Sequence, residues 1–177
     1  MNQYFLEDYK SYYEENFSVR GGGYRLLTSY NMKLIYFGRK LQCSKWKISK
    51  RFWLVLLKHH GNKRGNEIHD FSRIGYGLKL GHGYNITLNP GVTIGNYCRL
   101  MKGCTLGSIR TGSNAGAPTL GDHVMVGLNS TIVGNVKIGN DVMIAANSFV
   151  NFDVPDHSVV IGNPGVIHHK ENATEGY

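Results

Sequence analysis

An aliphatic residue stands at every sixth position from Leu120 onward: Leu120, Val126, Ile132, Ile138, Ile144 and Val150. Four places after each comes a small or β-branched residue: Val124, Ser130, Val136, Val142, Ser148 and Val154. A period of six matches neither the 3.6 of a helix nor the 2 of a strand. It is the pattern of a parallel β-helix, in which each hexad forms one flat face of a coil. The aliphatic side chain points into a narrow prism, and the residue four later fills the adjoining corner. Upstream the phase holds through Ile68, Ile74, Leu80 and Ile86, slips by two, and resumes at Leu88, Ile94, Leu100 and Leu106. The next anchor is fourteen residues on, so 107–119, rich in Gly, Ser, Asn and Thr, is expected to leave the coil as a loop. The expected fold is all-β: a hexapeptide-repeat parallel β-helix of about five coils over 67–168, with a mainly helical appendage at 1–66 and a polar tail at 169–177.

Many of the 23 glycines follow an aliphatic residue, as in Ile94-Gly95 and Ile138-Gly139, which suits tight turns rather than a flexible linker. Cys98 and Cys104 fall at corner positions and are expected to be buried thiols; Cys43 stands alone. Three cysteines make no disulfide framework, which suits a reducing cytoplasm. Residues 1–10 are polar and acidic, so no secretory leader is expected. The longest apolar run, Phe52 to Leu57, has six residues against the roughly 20 of a membrane span.

The net charge of +8 is concentrated. Residues 16–66 hold twelve of the twenty Lys and Arg and no Asp or Glu; the remaining eight cations face twelve acids. Within the appendage, Gly21-Gly-Gly23 reads as a break, and helices are expected at 28–41 and 45–59. In the second helix Trp46, Phe52, Trp53, Val55, Leu56 and Leu57 interleave with Lys45, Lys47, Lys50, Arg51 and Lys58.

Outward hexad positions should be chemically bland. His82, in Leu80-Gly-His-Gly-Tyr-Asn85, is the exception: an imidazole between two glycines on the prism surface. Histidine is the usual general base for a hydroxyl near neutral pH, although a lone histidine is more often just solvated.

The stretch Glu67-Ile-His-Asp-Phe-Ser-Arg-Ile-Gly-Tyr-Gly-Leu-Lys-Leu-Gly-His82 resembles the opening of the serine acetyltransferase catalytic domain, where an acid precedes the catalytic histidine by fifteen residues, as Glu67 precedes His82. The likeness continues through Thr105-Leu-Gly107, Pro118, the hexads from Leu120 and the closing Ile161-Gly-Asn-Pro-Gly165. It implies a left-handed coil and acetyl transfer from acetyl-CoA, a co-substrate rather than a tightly bound cofactor. His82 would be the base and Glu67, standing where the family has Asp, would orient the ring. A backbone N–H near the glycine-rich turn would meet the oxyanion. Carried over by position, Gly107, Ser108, Gly127, Leu128, Ala145 and Ala146 would line a slot for pantetheine. Lys170 would meet a CoA phosphate. Gly81 and Asn85 would face the acceptor.

The departures bear on the acceptor. Gly81 occupies the place of the family's amine-binding Asp, and Gly116-Ala117-Pro118 the place of its Arg-His-Pro. Lacking those partners for a zwitterion, the chain is expected to acetylate a sugar hydroxyl of a surface polysaccharide or its precursor, resembling polysaccharide O-acetyltransferases. The alternative is a serine O-acetyltransferase whose serine site uses other residues. A third reading is a non-catalytic β-helix scaffold.

Flat solvated faces suit side-by-side packing, so a homotrimer is expected. The basic segment 16–66 suits peripheral contact with an anionic membrane from the cytoplasmic side. Its competing reading is packing over the end of the β-helix or against another protomer. No motif for reading bases is present, so nucleic acid is not an expected partner. No metal site is expected, because His82 and His123 fall at different offsets in their hexads.

Overall fold

The computed structural model describes residues 2–176. Met1 and Tyr177, the first residue of the appendage and the last of the tail, lie outside the described residues.

The hexad anchors stack in three parallel columns. Ile68, Leu88, Leu106, Ile132 and Val150 pair along the first face. Ile74, Ile94, Leu120, Ile138 and Val154 pair along the second. Leu80, Leu100, Val126, Ile144 and Val160 pair along the third. All fifteen side chains are buried and form one continuous core. Each such burial is worth about 1.5–3 kcal/mol. The corner residues Val124, Ser130, Val136, Val142 and Ser148 are buried as well. So are Cys98 and Cys104, where burial pushes both thiols up to about 12. The two-residue slip has a concrete cause. Leu88, not Ile86, is the register partner of Ile68, so the corner between Leu80 and Leu88 is two residues longer than a hexad allows. Ile86 fills that corner and is fully buried.

Residues 108–118 leave the coil, closed by an antiparallel bridge between Ile109 and Gly116. The loop leans down the prism, with Asn114 Nδ2 donating to the Asn151 carbonyl at 3.0 Å. At the far end, Val166–His169 runs antiparallel to Ser158–Ile161 and covers that edge. The tail beyond it is tied down by Asp141, which accepts from the Ala173 and Thr174 N–H groups and from the Thr174 hydroxyl.

Among the described residues the appendage holds four helices where two were expected: α1 (Gln3–Tyr13), α2 (Val19–Thr28), α3 (Tyr30–Cys43) and α4 (Lys47–Asn62). The triple glycine is not a break but lies inside α2. Ser18 caps that helix by accepting from the Gly21 N–H at 3.1 Å. The Phe17 ring lies so close that a Cβ at Gly22 would come within 2.4 Å of it. Packing therefore outweighs the low helix propensity of glycine here.

A β-helix leaves unpaired backbone groups on its first coil, and the helices satisfy them with side chains. Tyr12 of α1 shares its hydroxyl with both the Leu80 carbonyl and the Leu80 N–H, at 2.6 and 2.5 Å. Asn31 of α3 donates to the same carbonyl at 2.8 Å. Asp8 accepts from the Leu78 N–H at 2.9 Å. Arg39, fully buried, donates to the Ile74 and Gly75 carbonyls and grips both oxygens of Asp8, at 2.7 and 3.0 Å. Phe71 completes the seal by seating its ring on Gly38 of α3, where a Cβ would come within 2.3 Å.

Candidate active site

The long corner that absorbs the register slip is the one that carries His82. Its five residues include two non-glycines with left-handed backbone, His82 at φ 64° and Asn85 at φ 51°, and Gly83 at φ 50°. Glycine adopts this conformation freely, and Asn and His enter it more readily than most other side chains. A Cβ at Gly83 would come within 1.9 Å of Asn31 Oδ1, so the helical appendage fixes that position as glycine.

Asn66 clamps the turn from the side of the helical appendage. This buried side chain donates to the Gly83 carbonyl at 2.8 Å and accepts from the Ile86 N–H at 3.0 Å. The Asn85 N–H adds a bond to the Arg64 carbonyl at 2.9 Å. With Tyr12 and Asn31 gripping Leu80, the His82 ring projects into solvent from a corner held on both sides. Periodicity does not reveal Tyr12 and Asn31, whose partners lie 68 and 49 residues away. Asn66 could have been suspected only from its place beside Glu67.

Glu67 begins the strand next to Asn66, its N–H donating to the Ile86 carbonyl at 2.8 Å. Its side chain is exposed and borders the same corner, but no hydrogen bond joins it to His82 among the described residues. Asn85 is exposed and serves the turn: its side chain lies over Gly65 and its backbone is left-handed, as at Asn129 and Asn147 on the coils below. Gly81 packs on Met101, where a Cβ would come within 2.2 Å of the sulfur.

Of the residues carried over for pantetheine, four share the His82 corner. Leu80, Leu100, Val126 and Ile144 are in register, so Gly127 and Ala145 lie beneath Gly81, with Leu128 and Ala146 one residue further. The Asn147 N–H bonds the Leu128 carbonyl at 2.8 Å, zipping the column together. Gly107 and Ser108 lie elsewhere, at the far end of the next face where the loop departs; the Ser108 hydroxyl accepts from Asn89 at 2.9 Å. Lys170 is on the third corner, its N–H on the His157 carbonyl at 2.8 Å. A single chain therefore does not gather the seven residues into one slot. His123 also stands apart from His82, stacked on the Tyr97 ring at 5.3 Å.

Residues 117–151 match the bacterial transferase hexapeptide family, described by six repeats. Serine acetyltransferase 2 of Arabidopsis thaliana is 38% identical over 146 residues, covering 80% of this chain and 42% of the relative. The crystal structure of Neisseria gonorrhoeae serine acetyltransferase in complex with serine superposes with a TM-score of 0.77 at 30% identity, covering 94% of this chain and 68% of that one. The Brucella abortus serine acetyltransferase solved in complex with coenzyme A shares the fold, with a TM-score of 0.78 at 23% identity over 94% of this chain and 67% of that one. The chain spans about two fifths of the length of the curated relatives it matches. These neighbours imply a left-handed coil.

They also correct the expected acceptor. The relatives and neighbours are serine acetyltransferases, two of them solved with serine bound, and the polysaccharide reading has no support among them. That expectation leaned on Gly81 and on Gly116-Ala117-Pro118 as lost substrate contacts. Local packing accounts for both glycines: Gly81 makes room for Met101, and Gly116, at φ 137°, lies where a Cβ would come within 2.8 Å of the Asn135 side chain. Residues 117–151 carry the bacterial transferase hexapeptide repeat, and the relatives and structural neighbours that the chain resembles are serine acetyltransferases.

Proposed function

We propose that this chain is a serine O-acetyltransferase that moves the acetyl group of acetyl-CoA to the hydroxyl of L-serine. The observation that carries the reading is the likeness to the serine-bound Neisseria enzyme, which extends over 94% of the chain. The fifteen-residue spacing from Glu67 to His82 supports it.

In this reading His82 takes the proton from the serine hydroxyl as its oxygen attacks the thioester carbonyl. The tetrahedral intermediate collapses, the C–S bond breaks, and the departing thiolate recovers the proton from the imidazolium. The products are O-acetyl-L-serine and free CoA. Glu67, on the border of the same corner, steadies the imidazolium when substrates draw the two side chains together. The column of Gly127, Leu128, Ala145 and Ala146 offers small residues along which pantetheine can lie.

The site is completed by a second copy. His82 is exposed on one chain, and the six positions carried over for pantetheine split between two corners of the prism, so a cyclic homotrimer would bring the Gly107–Ser108 corner of one copy beside the His82 corner of the next. The outward Thr87, Thr93, Thr105, Thr119 and Thr131 lie on the first and second faces.

The test is direct. Incubation with acetyl-CoA and L-serine should release thiol and yield O-acetyl-L-serine by NMR. Absence of both, with no CoA binding by calorimetry, would leave the non-catalytic scaffold as the better reading.

A further inference from the structure

Helix α4 turns two unlike faces in opposite directions. Inward, Leu57 and Gly61 are buried, and Trp53 packs against Tyr36 and Phe37 of α3. Outward, Ile48, Phe52 and Val55 follow one another at helical spacing and are 85%, 56% and 65% exposed. Trp46, at the start of the helix, is 79% exposed. Lys47, Arg51 and Lys58, all exposed, run as a parallel row along one flank of this apolar stripe.

The charged side chains of α4 are all basic. No Asp or Glu occurs in 16–66. Among the described residues, none of Lys45, Lys47, Lys50, Arg51 or Lys58 takes part in an ion pair. The first turn of α4 carries no acid, and Trp46 supplies no side-chain cap. Lysines thus crowd the positive pole of the helix dipole, the reverse of the arrangement a helix favours on its own.

We propose that α4 lies flat on an anionic phospholipid bilayer, its Ile48–Phe52–Val55 stripe in the acyl boundary and its flanking cations among the phosphates. Lipid phosphates answer both features at once, the unpaired cations and the uncapped N–H groups of the first turn. A second copy facing the same stripe would instead set two basic rows against each other. No described helix is long and apolar enough to cross a membrane, so α4 rests on the surface. The inference is independent of the serine reading, and a failed acetylation assay would leave it standing.

The experiment uses the full chain and vesicles of phosphatidylglycerol mixed with phosphatidylcholine, compared with vesicles of phosphatidylcholine alone. Cosedimentation should occur with the mixed vesicles, weaken with added salt, and come with a blue shift of Trp46 fluorescence. The double variant Lys47→Gln, Arg51→Gln should lower affinity about 25-fold, at about 1 kcal/mol for each cation near the surface. Phe52→Ser should lower it about tenfold or more. Circular dichroism establishes that each variant is folded. Equal binding to both vesicle types, or none, would overturn the proposal. So would a Phe52→Ser variant that leaves vesicle binding intact but lowers the solution mass, which would make the stripe an interface between copies.

Discussion

Asn66 holds Gly83 through a 2.8 Å hydrogen bond from its side-chain amide to the Gly83 carbonyl, and through it sets the corner from which His82 projects. The same side chain accepts from the Ile86 N–H, so one residue closes both ends of the turn. Asn66→Ala would leave two backbone groups unpaired inside the protein, costing about 2–4 kcal/mol. Denaturant unfolding measures that loss. The turn should also loosen, so kcat for acetyl transfer should fall by more than KM changes. A variant with full stability and full kcat would show that the corner holds itself.

The first coil predicts a larger effect. Asp8 and Arg39 are 0% and 1% exposed, and each also bonds backbone groups of the coil. Asp8→Ala strands a buried guanidinium and should cost about 3–5 kcal/mol. Replacing both residues with apolar ones of similar volume should cost less than removing Asp8 alone. Thermal unfolding of the three proteins distinguishes these outcomes.

The anchors from Leu120 to Val150 announce the prism, because a buried column every six residues has no other economical explanation. The slip from Ile86 to Leu88 was equally visible, but its meaning was not: it lengthens the corner that carries His82. Contacts between distant segments left no periodic trace. Nothing in 1–13 hints that Asp8 and Tyr12 finish the backbone bonding of Leu78 and Leu80, some 70 residues on. The triple glycine misled for the same reason, since the Phe17 ring that makes Gly22 necessary is a packing fact. The substrate misled because glycines at contact positions were read as chemistry lost, when Met101 and Asn135 occupy the space.

The tail carries a pH signature. Burial raises the Asp141 carboxyl, but the bonds from Thr174, His157 and Ala173 outweigh it and hold the group well below its ordinary 3.8. That stabilisation is present above pH 3.8 and is lost as pH falls through the depressed value. His157 is shifted the other way, raised above 6.5 by its hydrogen bond to Asp141. Its contribution is present below 6.5 and disappears as pH rises through the raised value. Hydrogen-exchange protection of the Ala173 and Thr174 amides should therefore be greatest near about pH 5 and smaller on both sides. A His157→Ala variant should lose the alkaline fall and keep the acidic one.

Thiol release from acetyl-CoA with L-serine, compared between the native chain and His82→Ala, decides whether the His82 corner is catalytic. The exposed position of His82 predicts that the variant folds as before and loses about 10²–10⁴-fold in rate. A His82→Ala variant that acetylates serine at the native rate would contradict the account.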